Sequence, residues 1–470
     1  MRAACGGRYM QYFAAISASL SVAMQGAFLG WPAPTLPKLE AADSPVPITL
    51  EQASWLASIN SLTTLIAVPL VALTIDRLGR KWLLLLAAAP FAVFWLMVAF
   101  VSSFEMLLAA RIIGSIGSGI ALSVPHLYVS EVAQTHIRGA LAALFMIMMN
   151  SGNLYIMCTG PFLSVTGASY AGLVLPALFV LTFLWVPESP YFLLLRKKEG
   201  DAKDTLARLR ANTDLEAELR EMHKAIQQKR QTQGSFRDIV FNAVHRRTLL
   251  LVVGLTVLYL GTGSQALVAF STEIFNRSGS SIDSDVSSII VAAVQLVASV
   301  SASALVDRAG RRPLLICGFV GCAVSMAALG VYFFLADAQH VDMSALYWLP
   351  LTGLTAFQAS YALGLGAAFF VVVGEIFHVS VKGVASSVVT AALGVVGFAT
   401  KMSFQPVSAA LGTHWVFWGF AVISLCGALY VFLLIPETKG QTFSEINELM
   451  ESSVPTEVVN EKTKGHHTTP

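Results

Sequence analysis

Arginines and carboxylates are spaced in this chain so that they can pair, and the arrangement occurs twice. Asp307-Arg308-Ala309-Gly310-Arg311-Arg312 lies between two long apolar runs; Asp76-Arg77-Leu78-Gly79-Arg80-Lys81 lies between two others about half a chain earlier. Both read D-R-x-G-R-[RK], a form suited to a tight turn between antiparallel helices, with Gly79 and Gly310 permitting the backbone. A guanidinium offers a planar fork of donors to a carboxylate. Glu131, Glu188, Glu375 and Glu437 each follow an apolar run, and Arg138 and Lys382 open the runs after Glu131 and Glu375. The chemistry this spacing serves is ion pairing that can be made and broken. Asp76, Arg77, Arg80, Glu131, Arg138 and Glu188 from the first repeat, with Asp307, Arg308, Arg311, Arg312, Glu375 and Lys382 from the second, would form a latch contributed by both halves. It would hold one face closed and part when that face opens. The alternative reading is that these charges only fix topology and cap helices.

No catalytic set accompanies them. The histidines are scattered without an H-x-x-x-H pair, no carboxylate pair sits within an apolar run, and no G-x-S-x-G or phosphate loop occurs. An enzyme is therefore not expected, nor any cofactor. His466-His467 is too short a tract to argue for a metal. No charged or carbonyl filter motif suggests an ion channel.

The elements that position these charges follow from composition. The chain has 470 residues, 55% hydrophobic and 12% charged, with a formal net charge of +2 and a mean hydropathy of +0.68. Soluble domains carry about twice that share of charge, and with a balance this near zero and no basic tract no nucleic-acid partner is expected. Of the five cysteines all but Cys5 fall inside apolar runs, as small core residues do. Apolar windows of the length needed to cross a bilayer predict twelve spans, at roughly 12–32, 54–75, 82–101, 106–128, 139–160, 167–186, 248–272, 284–306, 313–335, 346–373, 382–405 and 415–435. The first is read as a retained span rather than a signal peptide, since it lacks a clear A-x-A site. The reading is an all-α membrane protein, with the lipid bilayer as its solvent, built as two repeated six-helix halves at 1–187 and 248–440.

The loops after spans two, four, eight and ten carry Arg77, Arg80, Lys81, Arg138, Arg308, Arg311, Arg312 and Lys382, whereas the alternate loops carry chiefly Lys38 and Arg277. Positive charge stays on the cytoplasmic side, so an even number of spans puts both termini in the cytoplasm. Residues 188–247 are dense in mixed charge, yet Leu206, Leu209, Leu215 and Leu219 keep helical spacing; amphipathic helices linking the halves under the bundle are expected. The tail, 441–470, is polar. Asn276-Arg277-Ser278 is an N-x-S sequon in an outward loop, and Asn276 is a candidate for glycosylation.

At this point the motifs resemble those of the sugar porter family of the major facilitator superfamily, in order along nearly the whole chain. Arg111-Ile-Ile-Gly114-Ser-Ile-Gly117-Ser-Gly119 is similar to R-x-x-x-G-x-G-x-G. Tyr128-Val-Ser130-Glu131 through Arg138-Gly139-Ala140-Leu141 is similar to Y-x-S-E…R-G-x-L. Pro187-Glu188-Ser189-Pro190-Tyr191-Phe192-Leu193 resembles P-E-S-P-x-[FY]-L, Glu375-Ile376-Phe377 with Lys382-Gly383 resembles E-x-F…[RK]-G, and Pro436-Glu437-Thr438-Lys439-Gly440 resembles P-E-T-K-G. The first outer loop, Ile274-Phe275 and the stretch 306–316 are most similar to the insect facilitated trehalose-transporter branch. The resemblance implies the major facilitator fold, alternating access at the plasma membrane, a small-molecule solute, by family a sugar, held near the midplane, and function as a monomer.

It also implies where that solute is held, and there the chain departs from its family. Sugar hydroxyls call for amides, which donate and accept together, and for aromatic faces. The family's span-five Gln falls at Met146, its span-seven amides at Tyr259, Leu260 and Gln265, and its span-eight amide at Gln295. The span-ten prolines and Trp are gone from Gly364-Leu-Gly366-Ala-Ala-Phe-Phe370, and Leu393-Gly394 replaces Asn-Trp in span eleven. Gln265, Gln295, Asn150, Tyr259 and Phe370 are the candidate solute-binding residues, with Asn153, Gln358 and Trp31 nearby. A facilitative transporter of trehalose or a hexose is the leading reading. A transporter of another small solute on the same scaffold and a non-transporting sugar sensor are the alternatives.

Proton-coupled relatives set a span-one Asp against the span-four Arg, here Arg111; this chain has Pro32 at the matching place. A facilitator without that carboxylate equilibrates its solute. In proteoliposomes an imposed proton gradient should leave the steady-state solute level unchanged; accumulation above the outside level would overturn passive transport.

Overall fold

The computed structural model describes residues 2–44, 46–210, 214–231, 236–279, 282–339, 341, 343–377, 380–441 and 445, so most of the expected tail lies outside the described residues. With no water in the hydrocarbon, a spanning backbone must satisfy its own N–H and C=O groups, and among the described residues the fold is helical throughout. The first half holds α1 (Arg2–Gly30), α2 (Pro32–Glu40), α3 (Leu50–Leu78), α4 (Arg80–Ala99), α5 (Phe104–Val132), α6 (Thr135–Thr159) and α7 (Val165–Phe183). Four short helices follow: α8 (Pro190–Leu195), α9 (Glu199–Leu209), α10 (Leu215–Gln231) and α11 (Phe236–Phe241). The second half holds α12 (Ala243–Gly261), α13 (Ser264–Ala269), α14 (Ser271–Arg277), α15 (Ser284–Ala309), α16 (Arg311–Phe333), α17 (Leu349–Ser360), α18 (Ala367–Ile376), α19 (Lys382–Leu411) and α20 (Thr413–Leu434).

Eleven of these segments are long and apolar enough to span a membrane, and the apolar part of α6, Ala143–Thr159, supplies a shorter twelfth. The expected spans are all present, with three differences that sequence windows do not register. The first runs through a break at Trp31 to Glu40, because Pro32 suits a helix start. The seventh breaks at Gly263, whose φ of 85° suits a residue without a Cβ. The tenth opens into a π-helical turn at Tyr361–Gly366, beside the place where Gly364 lies against Gly318 and the Leu314 carbonyl of α16.

Glycines also set a close helix crossing in the first half. A Cβ on Gly26 would collide with the Met149 carbonyl, and one on Gly152 with the Ala23 carbonyl. So α1 and α6 meet backbone to backbone, as small residues allow in membranes. The two halves meet along α3 with α19 and along α6 with α15. These pairs are equivalent under an exchange of the halves, as a duplicated bundle requires.

The segment between the halves is packed, as its leucine spacing predicts. Leu193, Leu194, Ala202 and Ile226 form their own small core. Arg210, 6% exposed, donates to the Val132 carbonyl at the end of α5 (2.8 Å) and grips Glu218 of α10 (2.8 and 3.0 Å). Buried Gln11 of α1 donates to the Leu209 carbonyl at 2.7 Å. These bonds dock the short helices on the first half, on the face that carries the D-R-x-G-R loops; we call it the basic face.

Replacing Gly152 with Leu should overpack the α1–α6 crossing and cost about 1–3 kcal/mol or more. Gly374→Ala should be near neutral, since nothing lies within 4 Å of a Cβ there. Thermal unfolding of the detergent-purified protein reads both; equal melting of the two variants would contradict the crossing.

Candidate functional site

Each D-R-x-G-R turn closes on carboxylates in the same way. In the first half, Arg80 is 1% exposed. Its Nε and Nη2 donate to Glu131 at 3.0 and 3.1 Å, and its Nη1 to the exposed Asp76 at 2.9 Å. Its guanidinium also lies 5.4 Å from the Phe192 ring centre. Ser189 Oγ donates to the second oxygen of Glu131. In the second half, Arg311 Nη2 donates to Glu375 at 3.1 Å, and Thr438 Oγ1 to its other oxygen at 2.6 Å. Gly79 and Gly310 turn with φ of 93° and 91°. A Cβ on either would meet a glutamate oxygen, Glu188 Oε2 at 2.5 Å or Glu437 Oε2 at 2.8 Å. Glycine here serves both the left-handed turn and the room for a carboxylate.

Glu188 and Glu437 have a different part from the one the spacing suggests. Neither forks an arginine. Glu188 accepts from the backbone N–H groups of Lys81 (3.0 Å) and Ser189 (2.8 Å). Glu437 accepts from those of Arg311 (3.0 Å), Arg312 (3.1 Å), Thr438 (3.0 Å) and Lys439 (2.9 Å). They cap the unpaired N–H groups that begin α4 and α16. Burial pushes the Glu188 carboxyl above its usual range against these bonds. At Glu437 burial acts in the same sense, but the four N–H donors together outweigh it and hold the carboxyl below.

In this conformation the recorded pairs of the expected latch each close within one half. Arg80 with Asp76 and Glu131 lies wholly in the first half, and Arg311 with Glu375 wholly in the second. Arg77 and Arg308 are exposed; their carbonyls accept from Arg196 (3.4 Å) and Lys439 (2.7 Å). Arg312 donates to the Phe432 carbonyl and Lys382 to the Gly374 carbonyl. The side chains of Arg138 and Asp307 lie outside the described residues. The physical reason is where the halves touch: the recorded side-chain bonds between them lie toward the other face.

That opposite face is closed by residues the sequence reading passed over. On the seam between α3 and α19, Ser54 Oγ donates to Gln405 Oε1 at 2.7 Å. Gln405, 1% exposed, gives its Nε2 to Glu273 of α14 (2.8 Å) and Glu40 of α2 (3.4 Å). Arg277 holds Glu273 at 2.6 Å. About one turn from Gln405 on the same helix, Lys401 Nζ donates to Asn60 Oδ1 at 2.7 Å. On the α6–α15 seam, Met157, Ala292 and Ala33 form an apolar contact at the same level. A cavity of about 380 Å³ opens on this face between the halves, lined by Lys38, Asp43, Thr272, Asn276 and Asp285 among others. A lone lysine in an apolar run was the readable signal for Lys401; the amides and serines carry none.

Among the candidate solute residues the structure separates two kinds. Gln265 is exposed on α13, and Gln295 is half-buried on α15. Gln265 Oε1 lies where three elements converge: a Cβ on Gly397 of α19 would meet it at 2.9 Å and Ser61 Oγ of α3 at 3.3 Å. Tyr259 is 4% exposed, stacked on Phe369 at 4.1 Å and accepting from the Tyr361 hydroxyl at 2.5 Å. It supports a wall rather than forming one, because its ring faces are covered. Phe370 is exposed and edge-on to Tyr259 at 6.3 Å. Asn150 is buried in α6, and Gln358 in α17. Trp31 is buried against Phe94. Arg111, buried beside it, donates to the carbonyls of Leu56 (2.9 Å) and Phe28 (2.8 Å) and lies 4.2 Å from the Phe28 ring centre, with no carboxylate among its recorded partners.

Arg80→Ala strands the Glu131 carboxylate and should cost about 3–5 kcal/mol, as removing one partner of a buried pair does. Asp76→Asn, at an exposed partner, should cost no more than about 1 kcal/mol. Thermal unfolding in detergent compares them; equal losses would show that Arg80 packs rather than pairs.

Comparison with known proteins accords with this arrangement. The model of the sugar (and other) transporter family matches residues 11–450. The facilitated trehalose transporter of Polypedilum vanderplanki is 31% identical over 451 residues, covering 95% of this chain and 89% of that protein. The Anopheles gambiae counterpart is 31% identical over 450 residues, and the chain spans 56% of its length. An inward-open structure of the Escherichia coli xylose transporter XylE shares the fold with a TM-score of 0.78 at 21% identity, covering 93% of this chain and 99% of that one. The fold is thus the twelve-helix major facilitator fold, in a multi-pass membrane protein. With its family model matched over nearly the whole length and a 31% identical relative aligned almost end to end, the chain belongs to the sugar (and other) transporter family.

Proposed function

We propose that this protein is a facilitative transporter of a sugar, trehalose or a hexose, working by alternating access. One observation carries the reading: the side-chain bonds that join the halves lie toward one face, while each charge cluster on the basic face closes within its own half. A carrier caught open to one side has this asymmetry. The domain organisation proposed with it is a first bundle at 1–187, a linker at 188–247, a second bundle at 248–440 and a tail at 441–470. The excess of Lys and Arg in the basic-face loops supports a cytoplasmic placement for that face and both termini, and so a state open to the cytoplasm, with the protein at the plasma membrane as a monomer. On this reading Asp76, Arg80, Glu131, Arg311 and Glu375 are gate residues that keep each half rigid now and meet the other half when the basic face shuts. Exposed Asn276 then faces outward and carries a glycan.

Gln265 and Gln295 are proposed to hold solute hydroxyls, with Phe370 against a ring face and Asn150 and Tyr259 behind them. The relatives named for trehalose support the substrate class, and the missing carboxylate beside Arg111 supports passive transport. The covered rings of Tyr259 favour, as a second reading, a less polar solute on the same scaffold.

Radiolabelled trehalose and glucose uptake in oocytes tests the proposal. One of the two should enter saturably, and Gln265→Ala or Gln295→Ala should raise KM up to about tenfold, the worth of one hydrogen bond to the solute. Uptake of neither sugar at normal surface expression would overturn the sugar reading.

A further inference from the structure

We infer that Lys401 is a positioning residue of the conformational cycle: its buried ammonium, held across the seam by an uncharged partner, weakens closure of the opposite face and so promotes its reopening. The inference rests on the alternating-access reading. After Lys382 at its start, α19 carries no other Lys, Arg, Asp or Glu than Lys401. The residue is 3% exposed. Its recorded bond is to Asn60 Oδ1 of the first half, at 2.7 Å, and among the described residues no carboxylate pairs with it.

An ammonium has three N–H donors and a full charge; an amide oxygen accepts one of the donors and neutralises nothing. A second buried cation stands close. Arg111 donates to the Leu56 carbonyl, one turn from Asn60 on the same helix α3, so α3 receives two guests of like charge one turn apart. Their repulsion is strong where the dielectric is low. The other side chains that α3 and α19 bring together are uncharged and well matched, Ser54 with Gln405 and Gly394 and Gly397 against Ser61; the carboxylates that Gln405 meets, Glu273 and Glu40, come from α14 and α2, and neither pairs with Lys401. Lys401 is therefore the member of the seam that is worse off when it closes. Once α3 and α19 part toward the opposite face, water enters between them and hydrates the ammonium. A charge penalised in one state and relieved in the other shifts the balance toward the second.

Two consequences separate this from a packing role. Lys401→Met keeps the apolar stem and removes the charge, so the seam should stay closed longer. Asn60→Asp adds the missing countercharge and should lock the seam as well, but only while Lys401 is present. Lys401→Arg keeps the charge and should leave opening near its natural level.

The readout is access to the seam in the full-length protein in proteoliposomes. Ser58 of α3 is buried, so a Ser58→Cys thiol is reached by an impermeant methanethiosulfonate only when the opposite face opens; peptide mass spectrometry reports modification at that position. Lys401→Met and Asn60→Asp should each slow labelling about tenfold, equivalent to 1.4 kcal/mol. Asn60→Asp should have no effect in the Lys401→Met background. Labelling that is unchanged or faster in Lys401→Met overturns the inference. If that variant fails to reach the membrane, Asn60→Asp decides, and unchanged labelling there overturns it equally. Slowed labelling in a protein that moves neither trehalose nor glucose would leave this inference standing and remove the sugar reading.

Discussion

Hydrocarbon cannot solvate an unpaired polar group, and the placement of charge in this protein follows from that constraint. The cost of burial is met at the basic face by doubled bonds. Arg80 forks both oxygens of Glu131, one of which also accepts from Ser189, and Arg311 takes one oxygen of Glu375 while Thr438 takes the other. Glu188 and Glu437 cap the helices that begin at the two turns. Among the described residues Arg80 corresponds to Arg311, Glu131 to Glu375, Ser189 to Thr438 and Glu188 to Glu437, so each half carries its own set. A bundle whose charges are satisfied internally can move as a body without leaving any of them bare.

The seam between the halves obeys a different rule. Parting surfaces must not be held by groups that are costly to separate, and α3 and α19 meet through serines, glycines, amides and one lysine. The neutral hydrogen bonds among these exchange readily for bonds to water, each with a net worth of about 1 kcal/mol. The contrast between tight ionic knots inside the halves and weak polar contacts between them is what lets a duplicated bundle rock. Family membership and fold agree with that division of labour, as do the packed helices α8 to α11, which stay with the first half through Arg210 and Gln11.

Much of this was legible in the residues. The twelve spans follow from apolar length, and the break between halves from a charge-dense stretch with leucines at helical spacing. That the turn arginines meet glutamates at neighbouring helix ends follows from the repeated turn; that Arg80 takes Glu131 and Arg311 takes Glu375 came from the tertiary structure. The roles of Glu188 and Glu437 were not legible, because a carboxylate near an arginine in sequence says nothing of whether it meets the side chain or the backbone N–H. Tyr259 was placed in a solute wall by position, whereas its stacking on Phe369 depends on a π-helical turn a hundred residues away.

By itself the sequence determined what each half is made of, since apolar length, turn glycines and charge position are local properties that the bilayer selects one span at a time. Tertiary structure alone decided how the halves meet. Ser54, Asn60, Lys401 and Gln405 acquire their parts only from partners more than three hundred residues distant, and no local pattern in serines or amides marks such a pairing. The same is true of the direction in which the protein stands open: one composition serves both states, and the contacts across the seam distinguish them.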